Sequence, residues 1–384
     1  MKIQTLNKIA KIGLDGFDQN YEICDTCDTP DGILVRSASL HDMELPTSLL
    51  AVARAGAGVN NIPLDTCAEK GVVVFNTPGA NANAVKELAI AALLLASRDI
   101  VGGVDWAKTL TGDDVAKQVE KGKSQFVGPE IMGKKLGIIG LGAIGVLVAN
   151  AAQHLGMTVY GYDPYISLQS AWNLNHHVIK ATDINDVYTQ CDYICLHAPL
   201  TAETKHSINK NTIAVMKDGV RILNLSRADL VNDEDMAAAL ESGKVAKYVT
   251  DFPNANTLKM KNAVPIPHLG ASTPESEDNC AVMAVKELRE YLEYGNITNS
   301  VNYPAVSAPF NSALRICICH RNIPNMLASL SAIVSAEGVN IDNLLNKSKG
   351  DYAYTMIVCN ADVADTVIEK LNAVDGVLRV RCIR

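Results

Sequence analysis

The chain has 384 residues, of which 48% are hydrophobic and 20% charged, and a formal net charge of −8. That length accommodates two or three domains, each able to bury its own core, and the composition excludes a largely disordered chain. The acidic balance argues against nucleic acid or an anionic membrane as the main partner and leaves small molecules.

The opening MKIQTLNKIAKIGLDG lacks the apolar run of a signal peptide, and no stretch approaches a membrane span, so a soluble, cytoplasmic protein is expected. The ten cysteines form no framework. Cys24 and Cys27 make one CxxC without a second pair at zinc spacing, and Cys317 and Cys319 alternate along an expected strand. Both pairs read as small hydrophobes, and no metal is expected.

ILVRS and GVVVF are β-branched runs bounded by turn residues and predict strands. From Asn83 to Ser97 the apolar spacing is helical and too apolar for a surface helix, which predicts a buried one. KKLGIIG, AIGVLVANAAQHLG and MTVYGYD then give strand, helix and strand within the span of one βαβ unit. Strands are expected again at DYICLHA, VRILNLS and VAKYVTDF, with helices between. Alternating β and α predicts an α/β fold with a parallel sheet covered on both faces. After the helical run CAVMAVKELREYLEYG, NYPAVSAPFNS reads as a linker. LRICICH, a helix from Asn325, YAYTMIVC, a helix from Val363 and VLRVRCI suggest a small βαββαβ module.

Gly140, Gly142 and Gly145 form GxGxxG, with Ala143 and Ile144 inside it, where a strand ends and a helix begins. The first glycine allows the tight turn, the second lets backbone approach a pyrophosphate, and the third permits close packing. The helix N-terminus offers unpaired N–H groups and the positive dipole end to the diphosphate. Asp163 ends the next strand, placed to accept hydrogen bonds from the adenosine ribose and to repel a 2′-phosphate. No Arg or Lys follows in DPYISLQS, so NAD is the expected cofactor.

NLSRADLVN carries Arg227 just after a strand, and PIPHLGAST carries His268 in a Pro- and Gly-rich loop. GLGAIG, LHAPLTAETKHSIN, NLSRADLVN and PHLGAST, in that order, resemble the D-2-hydroxyacid dehydrogenase family over roughly residues 50 to 290. The resemblance implies two Rossmann-like domains with the site in the cleft between them. Residues 1–90 and 275–303 would form the split substrate domain, 91–274 the NAD-binding domain and 311–384 an ACT-like regulatory domain.

Arg227 would clamp the substrate carboxylate and polarise its C2 oxygen, a task suited to a guanidinium fork. His268 would take the hydroxyl proton as hydride leaves C2. Ala198 and Pro199 would lie beside the cofactor, and Asp251 would hold the nicotinamide carboxamide. The sequence departs from the family after Asp251. Relatives carry a glutamate there that orients the histidine, whereas this chain reads DFPNAN, with Asn254 and Ala255 in that neighbourhood. Either His268 works without an acid, or another such as Glu275 reaches it, or catalysis is impaired.

Within the family the likeness is greatest to members acting on 3-phosphoglycerate in serine synthesis. ILVRSA and VARAGAGVNNI place Arg36 and Arg54 for the substrate phosphate, and Gly58 and Val59 would offer backbone N–H groups to the carboxylate. The C-terminal module resembles an ACT domain, in which His320, Asn322 and Asn340 occupy the positions that meet serine. A homo-oligomer is expected from the resemblance. The alternatives are a dehydrogenase of glyoxylate, hydroxypyruvate or another unphosphorylated acid, and a dinucleotide-sensing regulator without turnover.

Overall fold

The computed structural model describes residues 1–310 and 313–384. The end of NYPAVSAPFNS and the start of the expected ACT-like domain at 311 fall partly on the two residues outside it. Internal contacts divide the chain into two units, Met1–Ala80 with Glu277–Arg384, and Asn81–Ser276. The helix Ala82–Ser97 lies whole in the second, so the expected cut after residue 90 would fall inside it.

In the first unit, β1 (Lys2–Thr5), β2 (Glu22–Cys24), β3 (Gly32–Val35), β4 (Ala51–Arg54) and β5 (Val73–Phe75) form a parallel sheet of order β2-β1-β3-β4-β5. β3 and β5 are buried along their whole length, as the apolar runs GILV and VVF require. The helix Pro274–Tyr294 brings the chain back, and its Leu288, Tyr291 and Leu292 enter the same core as Ile3, Leu34 and Phe75.

The second unit is built on seven parallel strands: β6 (Lys135–Ile139), β7 (Thr158–Tyr162), β8 (Ile179–Lys180), β9 (Tyr193–Leu196), β10 (Val220–Asn224), β11 (Val245–Thr250) and β12 (Ala263–Pro265). Their order is β12-β11-β10-β9-β6-β7-β8, so the direction in which successive strands are added reverses between β6 and β9. That crevice is where an open parallel sheet binds ligands. Side chains alternate between two cores: Tyr193 and Cys195 on one face, Ile194 and Leu196 on the other. The helix expected to be buried is buried along one face and exposed at Asn83, Glu87, Ala91 and Leu94, and its small residues Ala89, Ala92 and Ala96 share a core with Ala149 and Ala152 of the helix Ala143–His154. Small side chains on both helices permit close approach.

The C-terminal module is βαββαβ: β13 (Leu314–Arg321), helix Met326–Ser335, β14 (Ile341–Lys349), β15 (Tyr352–Cys359), helix Asp365–Asn372 and β16 (Val377–Ile383). Its sheet is antiparallel in the order β14-β15-β13-β16. Sequence reading had not singled out β14. IDNLLNKSK lies on the sheet edge, half-buried at best, and so carries no continuous apolar signal.

One face of the module's sheet carries its helices, with Ile316, Ile318, Leu330 and Val367 between them. The opposite face, with Cys317, Cys319 and Tyr354, shares a core with Tyr291 and Tyr303 of the same unit. Two arginines fasten this seam. Arg315, fully buried, donates to Tyr294 O (2.5 Å), Asn296 Oδ1 (3.2 Å), Ala308 O (3.1 Å) and Pro309 O (2.6 Å). Arg381 donates to Tyr291 O (3.1 Å) and Leu292 O (2.9 Å). The carbonyls of Tyr291, Leu292 and Tyr294 lie in the last turn of the helix Pro274–Tyr294, where Tyr291 O also accepts from Gly295 N (2.9 Å), and the negative end of the helix favours a cation there.

Arg315→Leu would strand several buried acceptors, and we expect a loss of about 3 kcal/mol or more. Arg379→Leu removes bonds from a more exposed arginine to Lys70 O and Thr47 O, and we expect a loss of about 1 kcal/mol or less. Urea unfolding of both variants compares the two.

Candidate functional site

The residues singled out in the second unit gather at the carboxyl ends of its strands. Gly140 follows β6 with φ +96°, a conformation that favours glycine, and a Cβ there would stand 2.7 Å from Ala198 N. A Cβ on Gly145 would overlap the Gly140 carbonyl oxygen, whereas one on Gly142 would meet nothing within 4 Å. Two of the three glycines are therefore demanded by the protein's own packing. Gly142 is not, and it faces open space at the helix start.

No side chain caps the helix Ala143–His154 at Gly142, and no acid stands in its first turn. Gly142 and Ala143 are exposed and Ile144 half-buried. Its N–H groups and positive end are left for an anion, which fits a dinucleotide diphosphate. Asp163, just past β7, accepts from Leu141 N and Tyr165 N, both at 2.8 Å. Those bonds fix its carboxylate beside the glycine turn and leave lone pairs for ribose hydroxyls.

Beyond β9 the chain runs through His197, Ala198 and Pro199, and is laced to the loop after β10. Ser226 Oγ donates to Ala198 O (2.6 Å), and Asn224 Nδ2 donates to Arg227 O (2.9 Å). Asn224, fully buried, and Ser226 were not singled out in the sequence, where they read as an ordinary strand end. Arg227 is exposed, with Nη1 on Ser226 O (2.6 Å). Most of its fork is available to a carboxylate.

His268 follows β12 and is exposed, with a left-handed φ of +52° that side-chain-bearing residues seldom adopt. Its N–H donates to Ile266 O (2.9 Å), and the next two N–H groups, of Leu269 and Gly270, donate to Asp251 Oδ1 (2.7 Å) and Oδ2 (2.9 Å). Asp251 is 1% exposed. A strained single residue costs about 1–3 kcal/mol, which the two charge-assisted bonds, at about 1.5–3 kcal/mol each, offset. Asp251 therefore secures the histidine loop, a task absent from the sequence-based expectation. The Phe252 ring lies 4.8 Å from the imidazole at 53°.

Among the described residues no carboxylate is bonded to the His268 ring. Glu275 is exposed, and among the described residues its carboxylate makes neither a hydrogen bond nor an ion pair. Asn254 instead caps its own loop, accepting from Asn256 N and Thr257 N (both 2.9 Å) and donating to Asp233 Oδ2 (2.8 Å).

In the first unit, Arg54 ends β4 and its Nε donates to Arg36 O (3.0 Å). Its guanidinium lies against Gly56 and Gly58, where a Cβ would stand 2.7 and 3.5 Å from Nη1. Burial and the neighbouring Arg36 charge lower the Arg54 pKa from the usual arginine value, the mark of a cation without a carboxylate. Among the described residues neither Gly58 nor Val59 donates its N–H to the protein. Arg36 is paired with Glu277 at 2.5 Å.

In the module, His320 is 2% exposed, with Nδ1 on Arg321 O and Nε2 on Thr355 Oγ1, both at 2.8 Å. Asn322 and Asn340 are exposed, bonded to Gly350 O (3.2 Å) and Asp342 Oδ1 (2.9 Å). The three do not contact one another through hydrogen bonds.

Burial lowers the His197 pKa to about 4, with its Nε2 3.1 Å from Cys195 Sγ. Its folded value lies below the unfolded one, so the unfolded chain binds more protons between about pH 6.5 and 4. Across that window we expect stability to be lost as pH falls, by up to about 1.4 kcal/mol per unit, and His197→Asn to flatten the slope in denaturant unfolding. For the glycines we expect Gly142→Ala to melt within about 2 °C of the parent yet bind NADH at least about tenfold more weakly. Gly145→Ala should lose several degrees. Thermal melts and NADH fluorescence titration separate the two.

Comparison with known proteins bears on these arrangements. A family model described as D-isomer specific 2-hydroxyacid dehydrogenase, NAD binding domain, matches residues 90–270. The chain is 31% identical over 348 residues to a D-3-phosphoglycerate dehydrogenase of Escherichia coli, a match covering 87% of this chain and 81% of that one. It is 30% identical over 364 residues to one from Synechocystis, covering 91% of this chain but only 62% of the longer relative. Among solved structures, NAD+-bound 3-phosphoglycerate dehydrogenase of Entamoeba histolytica aligns at 25% identity and TM-score 0.58, over 79% of this chain and 98% of that one. A glyoxylate reductase from Paecilomyes thermophila shares the fold at 24% identity and TM-score 0.64, over 78% and 98%. The expected cofactor agrees with the NAD-binding description of the matched domain. The chain belongs to the D-2-hydroxyacid dehydrogenase family and is an NAD-dependent oxidoreductase.

Proposed function

We propose that the chain is a D-3-phosphoglycerate dehydrogenase, converting 3-phosphoglycerate to 3-phosphohydroxypyruvate in the synthesis of L-serine. The observation that carries this reading is Arg54, a guanidinium that among the described residues has no carboxylate partner and lies over a glycine loop whose Gly58 and Val59 N–H groups are unbonded. That combination suits a substrate bearing both a phosphate and a carboxylate. The names of the relatives at about 30% identity support it.

In this reading Arg227 binds the carboxylate and polarises the C2 oxygen. His268 takes the hydroxyl proton. NAD, when bound, accepts the hydride that leaves C2, so proton and hydride are both accounted for. Gly140, Gly142 and Gly145, with Ala143, Ile144 and Asp163, hold the dinucleotide. Ala198 and Pro199 lie along it, and Asp251 receives the carboxamide with the lone pairs its backbone partners leave.

The module would bind L-serine at Asn322 and Asn340, and reach His320 only by displacing Thr355. Exposed Ile100, Val101, Val104, Val115, Val127 and Met132 support a homo-oligomer, and a cytoplasmic setting suits a pathway of small anions. Among the described residues no helix is long and apolar enough to cross a membrane. One observation favours a second reading, an unphosphorylated hydroxy acid such as hydroxypyruvate or glyoxylate: Arg36 is already paired with Glu277.

NADH oxidation with 3-phosphohydroxypyruvate, hydroxypyruvate and glyoxylate tests the choice. We expect a strong preference for the first, and Arg54→Met to lower its kcat/KM about 100-fold with a much smaller loss on hydroxypyruvate. Equal losses, or activity on the unphosphorylated acids alone, would favour the second reading. Bound NADH without turnover of any would leave a dinucleotide sensor. Calorimetric titration of L-serine into the full chain should show binding that Asn322→Ala and Asn340→Ala abolish.

A further inference from the structure

An acid–base histidine needs its ring held toward the substrate, and hydrogen bonding to a carboxylate is one way to achieve that. The charged groups on elements around His268 do not do so. Asp251 is occupied by Leu269 N and Gly270 N, and Asp233 accepts from Asn254 and Asn256. Arg227 is of the wrong sign and rests on Ser226 O. Glu275 makes no bond to the ring. On the helix Ala82–Ser97, whose Val85 packs against Gly270, Lys86 and Glu87 pair with each other at 3.7 Å.

What does hold the residue is visible from both ends. Its backbone is pinned by Pro267, by the His268 N to Ile266 O bond, and by the two N–H groups that Asp251 receives. Its ring is met by Phe252, the residue after Asp251, at 4.8 Å and 53°. A tilted pair of this separation is attractive and has a preferred orientation. The Asp251–Phe252 dipeptide thus grips backbone with one side chain and ring with the other.

We propose that His268 is oriented without a carboxylate, by the Asp251 clamp on its backbone and the Phe252 ring against its imidazole, which makes both of them positioning residues. Its role as acid–base rests on the function proposed above, whereas its placement does not. An arrangement of this kind leaves the imidazole to exchange protons with solvent and substrate rather than to share one with a fixed partner. It also predicts that a carboxylate introduced beside the ring would favour the protonated form.

Three variants of the full chain test this: Phe252→Leu, Phe252→Tyr and Phe252→Glu. The His268 Cε1 proton is followed by NMR, assigned by its disappearance in His268→Asn. In the parent that resonance should show the ring-current displacement of a neighbouring aromatic, lost in Phe252→Leu and kept in Phe252→Tyr. With NADH and 3-phosphohydroxypyruvate, Phe252→Leu should lower kcat at least about tenfold with KM changed less than about threefold, and Phe252→Tyr should restore most of it. Phe252→Glu should move the titration midpoint of the resonance upward by about one pH unit. An unaltered resonance in Phe252→Leu, or an unmoved midpoint in Phe252→Glu, would overturn the proposal. A displaced resonance in a chain that turns over none of the hydroxy acid substrates would instead uphold the placement and refute the functional reading.

Discussion

Parallel pairing of β6 with β7 on one side and β9 on the other sets the geometry on which the site depends. It brings the ends of three strands to one point, and the chain must leave β6 through a turn so tight that Gly140 lies against the Ala198 backbone and Gly145 under the Gly140 carbonyl. No side chain fits at either contact. Because the turn is so narrow, the following helix begins at the crevice itself, with its bare N–H groups on the surface. Asp163, Ala198, Arg227, Asp251 and His268 then line one edge as each neighbouring strand ends there.

Backbone hydrogen bonds convert that row of strand ends into a site. Asp163 ties β7 to the glycine turn, Ser226 ties the loop after β10 to the loop after β9, and Asp251 ties β11 to the loop after β12. Each uses a polar side chain on a backbone group of the next loop. Buried bonds of this kind are costly to leave unmade, so the loops constrain one another as well as their own residues.

Much of this was legible in the sequence because it rests on local patterns. GxGxxG at a strand end, β-branched runs of strand length and the fifteen-residue apolar helix each announce a structure by spacing alone. What escaped depends on partners distant in sequence. β14 is an edge strand whose polar residues resemble a loop, and its pairing with β15 is invisible in IDNLLNKSK. Asn224 looks like an unremarkable strand residue until its amide meets the Arg227 carbonyl. Asp251 carried a family expectation that said nothing of its hold on Leu269 and Gly270. Arg36 and Arg54 look alike in sequence, and only the fold distinguishes the one paired with Glu277 from the one over the glycine loop.

The C-terminal module adds a different lesson. A segment of about seventy residues with its own pattern reads as an appendage, yet one face of its sheet is covered by Tyr291 and Tyr303, and Arg315 and Arg381 cap the helix beside it. The unit it joins is assembled from the first eighty residues and the last hundred or so, with bonds such as that between Tyr21 and Glu293 spanning most of the chain. The order of synthesis follows from this. On the ribosome the continuous stretch from Asn81 to Ser276 can complete its sheet as it emerges, while the five N-terminal strands must wait for the returning helix. The N-terminal strands are thus completed only after the stretch that follows them, and during that interval their apolar faces are open to association with other chains.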